Sequence, residues 1–323
     1  MQIYLLLTEQ CNLNCKMCIR GSKNANYLSY ESIDNPVILS SLRGKDVVVT
    51  GGEPTLHRQF EQIVFLLSQY SRTVTVCTNG ILNYYVPSIF ENGNVKIQIS
   101  LDGDVTTHDS IRGVGTFDRI WHTIQLLESD EIHYQIATVV SHRNMGKIHS
   151  LRNQLSTLTC LDFWSCSYEM PFGFGSKNDI MSADEWNSFV DSILRGSSIR
   201  IKIKKIFAFE LFEKYKNRLD ELYQNHHCSN CGSGNNKLYI YPDLNVYPCT
   251  CLTDFPLGNL STESLNKILE KPITEQFANY QLAETSLCNA CEYKRYCNGG
   301  CIGMSYHFFH KLGMGDIRCP KLK

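Results

Sequence analysis

No apolar run in this sequence approaches the ~18 residues that a membrane-spanning helix needs. The longest early run, Ile3–Leu7, is too short for the core of a secretory signal, and no basic residue precedes it. A dominant charge is lacking as well. Thirty-one Lys and Arg face 32 Asp and Glu, a formal net charge of −1, so there is no electrostatic footprint for nucleic acid or for a membrane surface. Internal repeats and low-complexity tracts are also missing. These absences lead us to expect a soluble, cytoplasmic protein whose partners include neither nucleic acid nor membrane. With 323 residues, 43% of them hydrophobic, the chain can bury one large domain, or a large domain and a smaller one.

Cysteine is what the sequence has in excess. There are 15, an odd number, and they are clustered. Cys11, Cys15 and Cys18 form one group. Nine more lie between Cys228 and Cys319, and Cys77, Cys160 and Cys166 lie between the groups. With no sign of secretion, such clustering points to metal binding or catalysis rather than to disulfides.

Runs rich in Val and Ile, bounded by Gly, Asn or Asp, predict strands at Gln2–Thr8, Asp46–Thr50, Thr73–Thr78, Val95–Leu101, Ile132–Val140 and Leu161–Glu169. Helical periodicity predicts helices at Tyr30–Leu42, Gln59–Tyr70, Leu82–Glu91, Phe117–Glu128 and Asn144–Leu155. Strand and helix in alternation imply an α/β fold with a parallel sheet covered by helices, here a partial (β/α)6 TIM-like barrel. Barrels of this kind carry their active sites at the C-terminal ends of the strands. The chemistry-bearing residues fall at those ends: Cys11–Cys18 after the first strand, Gly51-Gly52-Glu53-Pro54 after the second, Thr78-Asn79-Gly80 after the third and Ser100–Gly103 at the fourth. Residues 184–224 read as helical and charged. Beyond them Lys237–Tyr241 and Asn245–Tyr247, around Pro242-Asp243-Leu244, predict a β-hairpin. A boundary near residue 215 divides the chain into a barrel, 1–215, and a cysteine-rich part, 216–323.

Cys11-x3-Cys15-x2-Cys18 offers three thiolates on one loop. A four-iron cluster takes four ligands, so three leave one iron open, unlike the fully ligated clusters of ferredoxins. A structural zinc site with a fourth ligand elsewhere fits the same spacing. Two glycines at 51 and 52 allow close backbone approach, and the Glu53 carboxylate suits an ammonium partner.

Cys-Asn-Leu-Asn-Cys-Lys-Met-Cys after one strand and Gly-Gly-Glu-Pro after the next resemble the radical S-adenosylmethionine (SAM) superfamily. The resemblance implies that Cys11, Cys15 and Cys18 hold a [4Fe-4S] cluster whose open iron binds SAM, and that Gly51, Gly52 and Glu53 receive the SAM amino group. It further implies that Ser100 and Arg112 contact the amino-acid portion, and that reductive SAM cleavage gives a 5′-deoxyadenosyl radical that abstracts hydrogen. Met17 stands where the family often has an aromatic residue.

Cys288-x2-Cys291-x5-Cys297-x3-Cys301 with Cys319, preceded by Tyr-Pro-Asp-Leu-Asn-Val-Tyr-Pro-Cys ending at Cys249, resembles the SPASM extension. That resemblance implies two auxiliary [4Fe-4S] clusters, three clusters in all. One would sit on Cys228, Cys231, Cys249 and Cys301, and the other on Cys288, Cys291, Cys297 and Cys319. Cys77, Cys160, Cys166 and Cys251 remain. The first three read as buried strand residues, and Cys251 competes with Cys231 as a ligand. A pair of zinc sites is the rival reading of this group. Leu244 replaces the usual hairpin glycine. Thr250 stands where sulfatase-maturating relatives carry an aspartate base, and Asp254 lies out of register for that role.

Family resemblance thus implies a maturase for a ribosomally made precursor peptide, forming a C–C, C–O or thioether crosslink or another oxidative change. It also implies an electron donor such as flavodoxin or ferredoxin. An epimerase with a cysteine hydrogen donor (Cys77, Cys166 or Cys251), a sulfatase-type maturase and a small-molecule radical SAM dehydrogenase are the alternatives, and a zinc-binding interaction module is the non-enzymatic one. Because the first strand begins at Gln2, with no peptide-recognition domain ahead of it, we expect either a separate recognition protein or peptide binding at the barrel mouth. Phe163, Trp164, Tyr168, Phe172 and Phe174, around the sixth strand, are candidates to line that mouth, with core packing as the rival reading, and Glu169 at the end of that strand is a candidate substrate or SAM contact.

Overall fold

The computed structural model of the chain describes residues 1–21, 24–81, 87–90, 93–204, 215–223 and 230–322, apart from the side chains of 222 and 223. Seven parallel strands run in sequence order: β1 (Gln2–Thr8), β2 (Asp46–Gly51), β3 (Thr73–Thr78), β4 (Val95–Ser100), β5 (Tyr134–Val140), β6 (Leu161–Tyr168) and β7 (Ile201–Ile203). The C-terminal region extends the same sheet. β8 (Lys237–Ile240) lies parallel to β1, while β9 (Asn245–Tyr247) and β10 (Gly258–Asn259) follow antiparallel. The ten strands of the described residues therefore form one continuous sheet ordered β10-β9-β8-β1 through β7.

Alternation along the strands explains the layering. Ile3, Leu5 and Leu7 of β1 and Val47 and Val49 of β2 point outward into an apolar layer shared with helix α3 (Phe60–Tyr70), through Ile63, Val64 and Leu67. Each of these side chains contributes about 1.5–3 kcal/mol by leaving water. A second apolar cluster lies under β4–β6, where Trp164 and Tyr134 are fully buried. The intervening residues face the concave side and are mostly small or polar: Thr75 and Cys77 on β3, Gln98 and Ser100 on β4, Ser165 and Ser167 on β6. All but Ser165 keep partial exposure. Leu6 of β1 and Val48 of β2 share that face and are buried, so the barrel interior is apolar at β1 and β2 and a polar lumen beside β3 to β6.

Several expected boundaries shift for local reasons. The single helix expected at Tyr30–Leu42 is two, α1 (Tyr30–Ile33) and α2 (Pro36–Leu42), because Pro36 cannot continue α1 but starts α2 with Asn35 as its cap. Asn144–Leu155 begins as a 3-10 turn at Met145–Lys147 before its α-helix, Ile148–Leu155. Of the helix expected at Leu82–Glu91, residues 82–86 and 91 lie outside the described residues, and Pro87–Phe90 is a 3-10 turn. The stretch 184–224 is only partly helical: it contains strand β7, whose alternating Ile and Lys side chains pair with β6. Residues 205–214 of that stretch also lie outside the description. Leu244, in the hairpin turn, adopts φ +64° while staying buried. The turn keeps its left-handed residue, with packing offsetting the strain that a glycine would avoid.

Candidate active site

The Cys11–Cys18 loop leaves the C-terminal end of β1 and is fixed from two sides. On one side, Gly52 N–H donates to Thr8 O and Glu53 N–H to Gln10 O, both at 2.7 Å. A side chain at Gly51 would begin 2.2 Å from Thr8 O, and one at Gly52 would begin 2.1 Å from Gln10 O. The close approach that demands these glycines is therefore the chain's own backbone, where it enters the cysteine loop. On the other side, Lys16 N–H donates to Ile111 O, in helix α4 (Val105–Arg112), at 3.0 Å. The thiols of Cys11, Cys15 and Cys18 stay partly exposed, and Met17 between them is buried.

Glu53 occupies a different position from the one its motif suggested. Its carboxylate is 1% exposed. Oε1 accepts from Thr55 N–H (3.2 Å), Thr55 Oγ1 (2.7 Å) and Thr78 Oγ1 (2.7 Å), and Oε2 accepts from Asn79 N–H at 2.7 Å. Four donors satisfy two buried oxygens, so no exposed oxygen is left for a SAM ammonium. Burial pushes its pKa up, and these hydrogen bonds oppose that. Glu53 instead ties the end of β2 to the end of β3, where Asn79 Nδ2 reaches Asn12 Oδ1 of the cysteine loop at 2.7 Å.

Arg112 closes α4 and does meet a carboxylate, but that of Asp102: Nε to Oδ2 is 2.5 Å. Its Nη1 lies 3.9 Å from Cys15 Sγ. The fully buried Asp102 is itself held by Val139 N–H at 2.8 Å and donates its own N–H to His108 Nδ1 at 3.1 Å. Burial pushes the Cys15 thiol up, and the guanidinium opposes this. Ser100 sits half-buried at the end of β4, on the lumen side. Three partly exposed cysteines with a paired guanidinium against one of them suit an anionic, thiolate-ligated group, so the loop fits the cluster that the family resemblance implies.

At the end of β6, Glu169 is buried, with Arg143 Nε 3.9 Å from Oε2 and no hydrogen-bond partner at Oε1. Of the aromatics expected around this strand, Trp164 belongs to the outer core and Phe172 and Tyr168 are buried. Phe163 is half-buried beneath Lys202, and Phe174 is exposed. Cys77 departs from its expected place in the core: it faces the lumen, half-buried, with its thiol 3.5 Å from Gln98 Oε1. Cys160 and Cys166 are buried as expected, Cys160 just before β6 rather than on it.

The later cysteines fall into two neighbourhoods. The pKa values of Cys231, Cys251 and Cys301 are raised, in part by the neighbouring thiols, whereas a hydrogen bond from Cys251 lowers that of Cys249; Cys251 N–H lies 3.5 Å from Cys249 Sγ. In the second neighbourhood Cys288, Cys297 and Cys319 are raised, chiefly by burial and also by the nearby thiols, that of Cys291 among them. Cys228 lies outside the described residues. Burial pushes Cys297 and Cys301 up to about 12 in the absence of a positive partner strong enough to offset it; a bound metal centre would supply that counter-charge and stabilise the thiolates. Among the described residues no three His, Cys, Asp or Glu side chains gather around a point that could hold a single metal ion. Thr250 hydrogen-bonds Tyr241 (3.2 Å), and Asp254 is engaged by the Tyr306 hydroxyl at 2.8 Å.

Residues 5–154 match the family model of the radical SAM superfamily, and residues 231–292 match SPASM, an iron-sulfur cluster-binding domain. The chain carries a radical SAM domain followed by a SPASM domain. The chain is 26% identical to the antilisterial bacteriocin subtilosin biosynthesis protein AlbA of Bacillus subtilis, over 94% of this chain and 68% of AlbA. It is 28% identical to the sporulation killing factor maturation protein SkfB of the same organism, over 82% of this chain and 63% of SkfB, so it spans less than two thirds of that relative. In fold, the radical SAM and SPASM domains resemble Streptococcus suis SuiB bound to precursor peptide SuiA, with TM-score 0.80, 15% identity and coverage of 99% of this chain and 75% of SuiB. Among the described residues no helix is long and apolar enough to cross a membrane.

Sequence reasoning placed Thr78, Asn79 and Asp102 at strand ends but missed that, with His108, they form a second buried layer of the radical SAM domain. Asp102 and His108 carried a signal, since His108 and Arg112 share one face of α4 at i, i+4 spacing. Thr78 and Asn79 were visible only as a strand end.

Proposed function

We propose that this chain is a radical SAM maturase of a ribosomally made peptide. Cys11, Cys15 and Cys18 would hold one four-iron cluster. Cys228, Cys249 and Cys301, with Cys231 or Cys251, would hold a second, and Cys288, Cys291, Cys297 and Cys319 a third. Bound there, the first cluster and SAM would supply a one-electron cleavage giving a 5′-deoxyadenosyl radical that abstracts hydrogen from the peptide. The chain's own residues hold and orient. Gly51 and Gly52 fix the loop against β2, and Arg112, held by Asp102, places positive charge against Cys15. Gly51, Gly52 and Ser100 line the approach for SAM.

The observation that carries this reading is the placement of three partly exposed thiols at the C-terminal mouth of a polar lumen, beside a charged pair built to face them. Similarity to AlbA and SkfB, named for bacteriocin biosynthesis and killing-factor maturation, supports a peptide as substrate. A lumen lined by hydroxyl and amide side chains suits an extended peptide, whose backbone needs hydrogen-bond partners. An electron donor such as flavodoxin or ferredoxin, and a separate recognition protein for the peptide, belong to the same proposal. So does the division of labour between residues 1–215 and 216–323.

Anaerobic incubation of the reconstituted protein with SAM, a reductant and small peptides encoded near its gene tests the reading by mass spectrometry. A crosslinked peptide loses two hydrogens. Deoxyadenosine release with no change in any such peptide, but with turnover of a small molecule, would move the protein to the dehydrogenase class. Cys77 favours one second reading. Its thiol faces the lumen and can return a hydrogen atom to a substrate carbon radical, giving an epimer. In deuterium oxide an epimerase adds one deuteron to the peptide, and Cys77→Ala abolishes that addition; an unlabelled product removes this reading.

A further inference from the structure

The loop after β6 touches both cysteine regions. At its far end, Phe174 N–H donates to Cys18 O at 2.9 Å, closing onto the last residue of the first cysteine group. Gly173 has φ +61°, and a side chain there would begin 2.4 Å from Cys18 O and 2.6 Å from Gly21 N. Gly21, itself at φ +68°, has Gly173 Cα 3.0 Å from where its own side chain would begin. Two glycines in left-handed conformations are thus pressed face to face, leaving no tolerance for a shift between the segments.

The same loop reaches the other way into the SPASM cysteines. Phe172 is buried, its ring edge-on to His307 with centroids 4.8 Å apart. Its Cζ lies 3.7 Å from the side-chain position of Gly303, which has Cys251 Cβ at 3.1 Å and Cys301 Sγ at 3.8 Å. Met170 Sδ accepts from Arg318 Nη1 at 3.6 Å, and the Arg318 guanidinium lies over the Tyr168 ring at 4.9 Å. Arg318 is buried and paired with Asp316 (Nε to Oδ1, 2.8 Å), whose Oδ2 accepts from Cys301 N–H at 3.3 Å. A line of contacts therefore runs from Cys301 through Asp316, Arg318 and Met170 to the loop that closes on Cys18, with the Phe172 ring and the side chains of Cys251 and Cys301 gathered around Gly303 beside it.

We propose that Met170–Gly175 is a strap through which the Cys249–Cys251–Cys301 region sets the position of the Cys11–Cys18 loop, with Phe172 and Gly173 as positioning residues for SAM binding. This rests on the reading that the first loop serves SAM. Close-packed contacts transmit displacement rather than absorb it, and each link here is backbone on backbone, a buried ring or a hydrogen bond of the buried Asp316–Arg318 pair. Loss of ligation at Cys301 should then be felt as weaker SAM binding at the other end. The coupling should be of the size typical between sites, about fivefold or more.

The test is a double-mutant cycle on anaerobically reconstituted protein, reading SAM affinity by calorimetry and the spectral shift of the reduced first cluster on SAM addition. Cys301→Ala and Phe172→Ala should each weaken SAM binding, and the double variant should be no weaker than the worse single one, because both cut the same link. Gly303→Ala keeps every thiol and covers the case in which Cys301→Ala misfolds. Its methyl would crowd Cys251 Cβ at 3.1 Å while touching Phe172 Cζ at 3.7 Å, so the shift forced at Cys251 is relayed to the ring; it should weaken SAM binding in the wild-type background and have no effect beside Phe172→Ala. Fully multiplicative losses, or SAM affinity unmoved by Cys301→Ala and Gly303→Ala, overturn the strap while leaving the proposed function intact. A wild-type protein that binds no SAM overturns both.

Discussion

Glu53→Gln separates the two roles open to the motif's carboxylate. The amide preserves shape but puts a donor where one carboxylate oxygen stood. If the NH2 takes the Oε2 place it faces Asn79 N–H, donor against donor at 2.7 Å. If it takes the Oε1 place, the hydroxyls of Thr55 and Thr78 can turn to accept, but Thr55 N–H cannot. Either way one hydrogen bond to a charged acceptor is lost, about 1.5–3 kcal/mol. Part of this is offset because a neutral amide is easier to bury than a carboxylate whose pKa burial already raises. A net loss of about 2 kcal/mol remains, roughly 3 °C in the melting temperature of a chain this long. Thermal unfolding of the reconstituted protein and SAM titration, run together, read both quantities. The account expects the melting shift with SAM affinity changed by no more than about twofold. An unshifted melt with affinity down about tenfold would show that the carboxylate contacts SAM after all and refute the reasoning.

Three other outcomes follow from the same contacts. Gly52→Ala has no room beside Gln10 O and should displace the cysteine loop, so that reconstituted protein carries about four fewer irons per chain, the content of one cluster; full iron content would contradict this. His108 is buried neutral, its pKa pushed down to about 4 chiefly by burial. The unfolded chain binds its proton near pH 6.5 and the folded one does not, so stability falls as pH drops from 6.5 towards 4, by about 3 kcal/mol. Urea titrations of His108→Gln should lack that part of the slope, and an unchanged slope would place the titration elsewhere. At Leu244, relief of left-handed strain is worth about 1–2 kcal/mol against about 1.5–3 kcal/mol of side-chain burial. Stability should therefore rank Leu above Gly above Ala in urea unfolding, and Ala at or above Gly would show that the turn does not hold φ +64°.

The strands were readable because each is a short apolar or β-branched run bounded by Gly, Asn or Asp, and β3 and β4 also alternate between an apolar outer face and an inner face of Thr, Cys, Gln and Ser. β1 and β3 begin and end where their runs do. β7 was not readable, since three residues of alternating Ile and Lys inside a charged stretch carry too little pattern. The break between α1 and α2 was written in Asn35-Pro36, but the apolar periodicity running through it hid it. At the site, the cysteine loop and the glycines were legible as types and spacings. Their partners were not, because Gly52 meets Gln10, Glu53 meets Thr78 and Asn79, and Arg112 meets Asp102 and Cys15 only once the strands are side by side. Cys77 shows the same limit. A strand cysteine reads as core until the facing of the strand is known, and β3 turns it inward.

Deoxyadenosine release by the anaerobically reconstituted protein, compared with that of a Cys11→Ala, Cys15→Ala, Cys18→Ala variant under the same reductant and SAM, tests the central claim most directly. The account predicts release from the wild type, with about twelve irons per chain, and none from the variant, which keeps about eight. Equal release from both, or two or three zincs without sulfide in the wild type, would contradict it.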